Sequence, residues 1–231
     1  MIVDFHAHVL PGMDSGCPSR IVAIRQMLMA KHANVDVIVA APEFDPAKMP
    51  VREFLEKREI CAQHLETVLQ SGMPRVVLGA EVLWHAGLEG LEELERLCVG
   101  TSGQLLLRMP EGGIDTVMAD SVERLCGRLE NGVLLANAEH LEPEQAAMLY
   151  RCGAHGELSF SALEHRGDRE KYVPWIQNGF VTALGSNLRG DAHAYRKLRK
   201  IQHRLDGLFE PLMILSAGML GLNTESSIAA V

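Results

Sequence analysis

The chain has 231 residues, 47% hydrophobic and 23% charged, and a net charge of −8 from 30 acidic and 22 basic side chains. That length and apolar content suffice for one large globular domain, expected over residues 1–231. The acidic balance excludes a general nucleic-acid binder, and the longest apolar run, Leu212 to Leu222, is too short to span a bilayer.

Cys17, Cys61, Cys98, Cys126 and Cys152 show no Cys-x-x-Cys spacing. An odd, unpatterned set points to reduced thiols, and the first residues already read as a strand rather than a leader, so a cytoplasmic protein is expected.

The first strand is Ile2-Val3-Asp4-Phe5-His6-Ala7-His8. Side chains alternate faces along a strand, so Asp4, His6 and His8 point the same way. Two imidazoles at i, i+2, followed by Asp14 in Gly12-Met13-Asp14-Ser15-Gly16, make half of a metal cup. The competing reading is a strand whose histidines face water or bond locally.

A helix is predicted over Pro18 to Ala33, then a strand over Val35 to Ala40 ending at Pro42-Glu43-Phe44. A long helix from Val51 to Gln70 and a strand from Arg75 to Glu81 follow, then a short acidic helix around Leu88 to Leu97. Strands over Gln104–Arg108, Val133–Asn137, Gly156–Phe160 and Phe180–Gly185 alternate with helices near Thr116–Leu129, Glu142–Tyr150 and Arg169–Gln177. Helices over Ala192–Arg204 and Leu208–Leu220 end the sequence; Arg196-Lys197-Leu198-Arg199-Lys200, with Arg204, reads as a solvated helix face.

Seven β/α units with near-continuous apolar strands mark a parallel sheet covered on both faces. No Gly-x-Gly-x-x-Gly follows the first strand, so a closed or distorted barrel fits better than a doubly wound sheet. In barrels function collects at the C-terminal strand ends, which here present His6, His8, Glu43, Glu81, Arg108, Asn137, Asn187 and Arg189. His85 and His140 lie near those ends, and Trp84 is either a pocket wall or core. His32, His64, His155, His165, His193 and His203 are expected on the surface or on helices. Met27, Met29, Met148, Met213 and Met219 are expected in the core.

Asp4-x-His6-x-His8, Leu10-Pro11-Gly12-Met13-Asp14-Ser15-Gly16 and Gly79-Ala80-Glu81 resemble motifs of the PHP superfamily. The nearest branch is the manganese-dependent bacterial protein-tyrosine phosphatases encoded with capsule and exopolysaccharide genes. The resemblance covers nearly the whole sequence. It implies a distorted (β/α)7 TIM-like barrel, three metal ions on nine side chains, and a phosphorylated protein as partner, with a bacterial tyrosine kinase among the candidates.

Four of those nine positions stand, as His6, His8, Asp14 and Glu81, and five are changed. Glu43 replaces a histidine, Arg108 a glutamate, Asn137 a histidine, and Asn187 and Arg189 an aspartate and a histidine. Two phosphate-holding arginines of the family are also unmatched, one of them standing as His140. The resemblance leaves His6, His8 and Glu81, with Asn187 as a weak donor, for one ion, and Asp14 with Glu43 as remnants of another.

Arginine has no acceptor and cannot be a ligand. A guanidinium about 4 Å from a divalent ion would cost roughly 8 kcal/mol at an effective dielectric near 20. The expectation is therefore that Arg108 pairs with Glu81, and Arg189 with Asp14 or Glu43. Manganese or another divalent metal would then be bound as one ion rather than three, or not at all.

Two functions follow from these residues: a phosphoester hydrolase with reduced or lost activity, or a non-catalytic phosphate- or phosphoprotein-binding regulator in which Arg108 and Arg189 hold the phosphate. An amidohydrolase-type barrel shares the His-x-His opening, but Asn137 and Asn187 stand where it needs other ligands.

Overall fold

The structure, a computed structural model, describes residues 1–190, 194–196 and 198–222. Among these residues the nine parallel strand segments are β1 (Val3–Ala7), β2 (Val37–Ala40), β3 (Glu43–Phe44), β4 (Arg75–Leu78), β5 (Glu81–Leu83), β6 (Leu105–Arg108), β7 (Val133–Leu135), β8 (His155–Ser159) and β9 (Val181–Gly185). They form two sheets, ordered β1-β2-β4 and β3-β5-β6-β7-β8-β9.

The sheets are two arcs of one distorted barrel. β3 is an added segment just past the expected strand over Val35 to Ala40, separated from β2 at Ala41-Pro42, and β4 and β5 are one expected strand interrupted at Gly79-Ala80. Backbone hydrogen bonds cross these breaks, from Ala41 N–H to Ala7 C=O and from Glu81 N–H to Pro42 C=O. On the other side, the segment after β9 returns to β1: Asn187 N–H donates to His6 C=O at 2.8 Å and His8 N–H to Leu188 C=O at 2.9 Å. The ring is thus joined through Leu188, which bridges Ala7, rather than by a full ladder.

The helices are α1 (Arg20–His32), α2 (Val51–Glu66), α3 (Thr116–Arg128), α4 (Pro143–Arg151), α5 (Arg166–Gln177), α6 (Leu198–Arg204) and α7 (Phe209–Met219). Local chemistry sets their starts. The Ser19 hydroxyl accepts from Val22 N–H, so α1 begins after Ser19 and not at Pro18. Asp115 caps α3 in the same way, and a Glu142/Gln145 capping box with Pro143 opens α4.

The expected acidic helix near Leu88 is instead two 3-10 turns, Leu88–Gly90 and Leu94–Leu97. Between them Glu93 has φ 59°, which no continuous helix accommodates. The start of the helix expected from Ala192, with His193, lies outside the described residues.

Most of the apolar core lies between strands and helices, and Met27 and Met213 are buried in it as expected. A smaller cluster of Val3, Phe5, Val39, Leu106 and Leu134 packs with Ala217 and Leu220 at the end of α7. His155 departs from expectation: it is a half-buried residue of β8 whose Nδ1 lies 3.0 Å from Gly179 C=O. Among the described residues no helix is long and apolar enough to cross a membrane.

Candidate metal centre

β1 is buried along its whole length, and His6, His8 and Glu81 converge at the strand ends with no more than 1% of their surface exposed. The β3–β5 register places Glu43 beside Glu81, and the β5–β6 register carries Arg108 beside Leu83 on the same rim. His6 Nε2 lies 3.6 Å from Glu81 Oε1 and His8 Nε2 lies 3.7 Å from Glu81 Oε2. These spacings are too long for good hydrogen bonds. They approach the roughly 3.4 Å that separates two ligand atoms around a tetrahedral ion bonded at about 2.0–2.1 Å.

His6 Nε2, His8 Nε2 and Glu81 Oε1 are buried without hydrogen-bond partners among the described residues. Buried polar atoms are rarely left so, and three of them gathered at one place fit one metal ion. Imidazole and carboxylate atoms of His6, His8 and Glu81 all lie within 4.8 Å of one another.

The opposite ring nitrogens are held by carboxylates. His8 Nδ1 lies 2.7 Å from Asp14 Oδ2, and His6 Nδ1 lies 3.4 Å from Glu157 Oε2. A carboxylate behind each imidazole fixes the ring and turns Nε2 toward a metal. Burial holds the pKa of His8 below the ordinary histidine value, although Asp14 pulls the other way, which suits a neutral ring that donates from Nδ1. Burial also works against ionised Asp14, but the His8 bond and the N–H groups of Glu43 and Gly16 bring its carboxyl down to about 2.

The second oxygen of Glu81 is occupied differently. Glu81 Oε2 accepts from Arg189 Nη2 at 2.9 Å and from Arg108 Nη1 at 3.4 Å, while Arg108 Nη1 also reaches Glu43 at 3.2 Å. Burial disfavours the Glu81 carboxylate, yet His6, His8 and the two arginines together hold its pKa below the usual range. Arg189 Nε donates to Asn187 Oδ1, and Asn187 Nδ2 donates to Asn137 Oδ1 at 3.0 Å. Two guanidiniums therefore stand on the face of Glu81 where further cations would need oxygen ligands. The imidazoles of His6 and His8 and the carboxylate of Glu81 suit one divalent ion.

Arg108 thus takes its expected partner. Arg189 does not: it pairs with Glu81, because Asp14 is already engaged by His8 and by the Glu43 and Gly16 N–H groups, and Glu43 by Arg108. Asp14 and Glu43 stay outside the three-residue cluster, and Asn187 Oδ1 accepts from Arg189 Nε. His140, Asn137, Asn187, Arg108, Arg189 and Trp84 line an adjoining cavity of about 560 Å³, so Trp84 is a wall. His85 is exposed and bonds to Ala86 C=O.

Glu157 is not among the residues that sequence motifs single out. Its signal is an acid in the middle of a strand; it is fully buried, accepts from Asn137 N–H at 2.8 Å and backs His6. Asp4, behind the site, accepts from Tyr195 O–H at 2.5 Å and from Ser186 N–H at 2.7 Å.

Gly185 lets these groups meet. A Cβ there would lie 2.4 Å from Glu157 Oε1 and 2.6 Å from His6 Cβ. Gly185→Ala is expected to cost about 2 kcal/mol or more through overpacking, read as a lower urea midpoint. An unchanged midpoint would contradict the close packing.

A family model for capsular polysaccharide synthesis, CpsB/CapC, matches residues 2–139. No curated protein is significantly similar in sequence. The crystal structures of YwqE from Bacillus subtilis and CpsB from Streptococcus pneumoniae, unique metal-dependent tyrosine phosphatases, include a protein matching at TM-score 0.72 and 16% identity, over 96% of each of the two chains. An uncharacterized protein matches at TM-score 0.56 and 15% identity, over the full length here and 76% of its own.

Proposed function

The chain belongs to the CpsB/CapC family of capsular polysaccharide synthesis, and on that premise we propose a member that has kept one metal position and exchanged the others for arginines. It binds a phosphorylated protein, a bacterial tyrosine kinase being the candidate the family suggests, and hydrolyses phosphotyrosine weakly or not at all. On this proposal the protein acts in exopolysaccharide regulation in the cytoplasm. The observation that carries the proposal is the divided Glu81 carboxylate: Oε1, like the Nε2 atoms of His6 and His8, has no hydrogen-bond partner among the described residues, and Oε2 is held by Arg108 and Arg189.

His6, His8 and Glu81 would hold one divalent ion, manganese or another that accepts imidazole. When bound, such an ion supplies Lewis acidity toward a phosphoryl oxygen. Asp14 and Glu157 keep the two rings aimed. Arg108 and Arg189 each retain N–H groups beyond those used on Glu81, Glu43 and Asn187, and the guanidinium fork matches phosphate oxygens. Trp84, Met109, Pro110 and Leu141 wall the cavity and shield the rest of the ligand from water. Hydrolysis suffers because a guanidinium neither ionises water nor gives up a proton near neutral pH.

Metal content by elemental mass spectrometry, after purification with manganese and without chelators, tests this directly. One ion per protein molecule is expected. Two or three would refute the exchange of metal for arginine, and none would remove the ion and leave the phosphate-binding half of the proposal.

A further inference from the structure

Away from the barrel mouth, Arg166, Arg169 and Arg204 line a depression of about 340 Å³ between α5 and α6. It shares no residue with the mouth cavity. It adjoins a cavity of about 580 Å³ that Arg169 and Arg204 also line, with His203, Glu170 and Asp206 at its edges.

Arg169 and Arg204 are fixed by backbone carbonyls. Arg169 Nη1 donates to the backbone carbonyl oxygen of Arg204 at 3.0 Å, and Arg204 Nη1 to that of Leu163 at 3.4 Å. Among the side chains that are described, neither Arg169 nor Arg204 forms an ion pair. Arg166 has an exposed contact to Glu170 at 3.5 Å, a kind of pair worth little in water. The stretch 192–205 adds Arg196, Lys197, Arg199 and Lys200 and contains no acid, in a protein whose net charge is −8. Leu198 and Ile201 of α6 face the core, and Arg199 and Lys200 are exposed.

Three like charges around one hollow repel one another unless an anion sits between them. Carbonyl bonds use one N–H group of Arg169 and one of Arg204 and leave their remaining donors for oxygen acceptors. We infer that this groove is a second phosphate site, separate from the barrel mouth, that takes a phosphate dianion, whether free phosphate or a phosphate monoester. Guanidinium forks recognise that group bidentately, and positions held by backbone carbonyls need little reordering on binding.

The test is a titration of the full-length protein with inorganic phosphate, at ionic strength held constant with chloride and followed by 1H–15N NMR. Saturable shifts of amides in α5 and α6 are expected, and they persist in an Arg108→Ala/Arg189→Ala variant. Arg166→Gln with Arg204→Gln weakens binding there by about tenfold or more, the worth of one charged hydrogen bond. Shifts confined to the barrel mouth, non-saturating shifts, or unchanged affinity in the double variant would overturn the site. Should that variant not fold, phosphate is expected to slow phenylglyoxal modification of Arg166, Arg169 and Arg204 in the native protein; equal rates would overturn it. Glycerol phosphate run in parallel separates the sources. Tighter binding of the ester assigns a monoester and equal binding assigns free phosphate, and either keeps the proposal.

Discussion

Changing Arg108→Glu, Asn137→His, Asn187→Asp and Arg189→His together is expected to raise bound metal from one ion to three per protein molecule. Hydrolysis of a phosphotyrosine peptide should rise by about 100-fold or more, a gain comparable to restoring one well-placed electrostatic stabiliser. The four positions ring the cavity beside Glu81, and the side chains of Arg189, Asn187 and Asn137 are already linked by hydrogen bonds. Replacing both guanidiniums removes two cations from the Glu81 carboxylate and puts a carboxylate and an imidazole in their place. The backbone tolerates the other two changes: Asn137 and Asn187 have φ 51° and 46°, and histidine and aspartate are among the residues that enter this left-handed region most readily. Elemental analysis and a peptide phosphatase assay check the two halves separately. Activity in the native protein equal to that of the fourfold variant would show that the arginines do not limit hydrolysis.

Glu81→Ala is expected to abolish metal binding, with affinity falling by more than the 10- to 100-fold typical of losing a residue that merely orients a ligand. It removes one of three ligands and also releases Arg108 and Arg189 from their shared anion. Breaking a buried pair commonly costs 3–5 kcal/mol; here the arginine side chains are 37% and 32% exposed, so about 2 kcal/mol is expected in the metal-free protein. Calorimetric titration with manganese and urea unfolding of the apoprotein measure the two effects. A variant that still binds one ion would place the metal elsewhere. A variant that binds none and loses no stability would show that the arginine pairs contribute nothing to the fold.

The apolar strands and the helices between them are legible in the sequence because periodicity reports burial locally, residue by residue. His6, His8 and Glu81 are legible for a similar reason: the strand alternation that aligns two histidines, and the Gly79-Ala80-Glu81 motif that resembles the family's, are properties of short segments. The added segment β3 and the break inside the strand expected over Arg75 to Glu81 are not visible there, since the bonds that carry the barrel across Ala41-Pro42 and Gly79-Ala80 come from neighbouring strands. Glu157 reads from sequence only as an odd acid in β8. Its role exists because β8, β9 and β1 lie side by side and Gly185 leaves room between it and His6.

The partner of Arg189 shows the same division. Charge and family position make Asp14, Glu43 and Glu81 all acceptable to it, and sequence spacing carries no information on which is free. Asp14 is committed to His8 and to backbone N–H groups, Glu43 to Arg108, and Asn187 steers the guanidinium onto Glu81. Sequence by itself determined the barrel class and the three residues that converge at the strand ends, through local pattern and short motifs. Only the tertiary structure decided which carboxylates stand behind the histidines and which hold the arginines, because ion pairing is settled by distances between segments far apart in sequence.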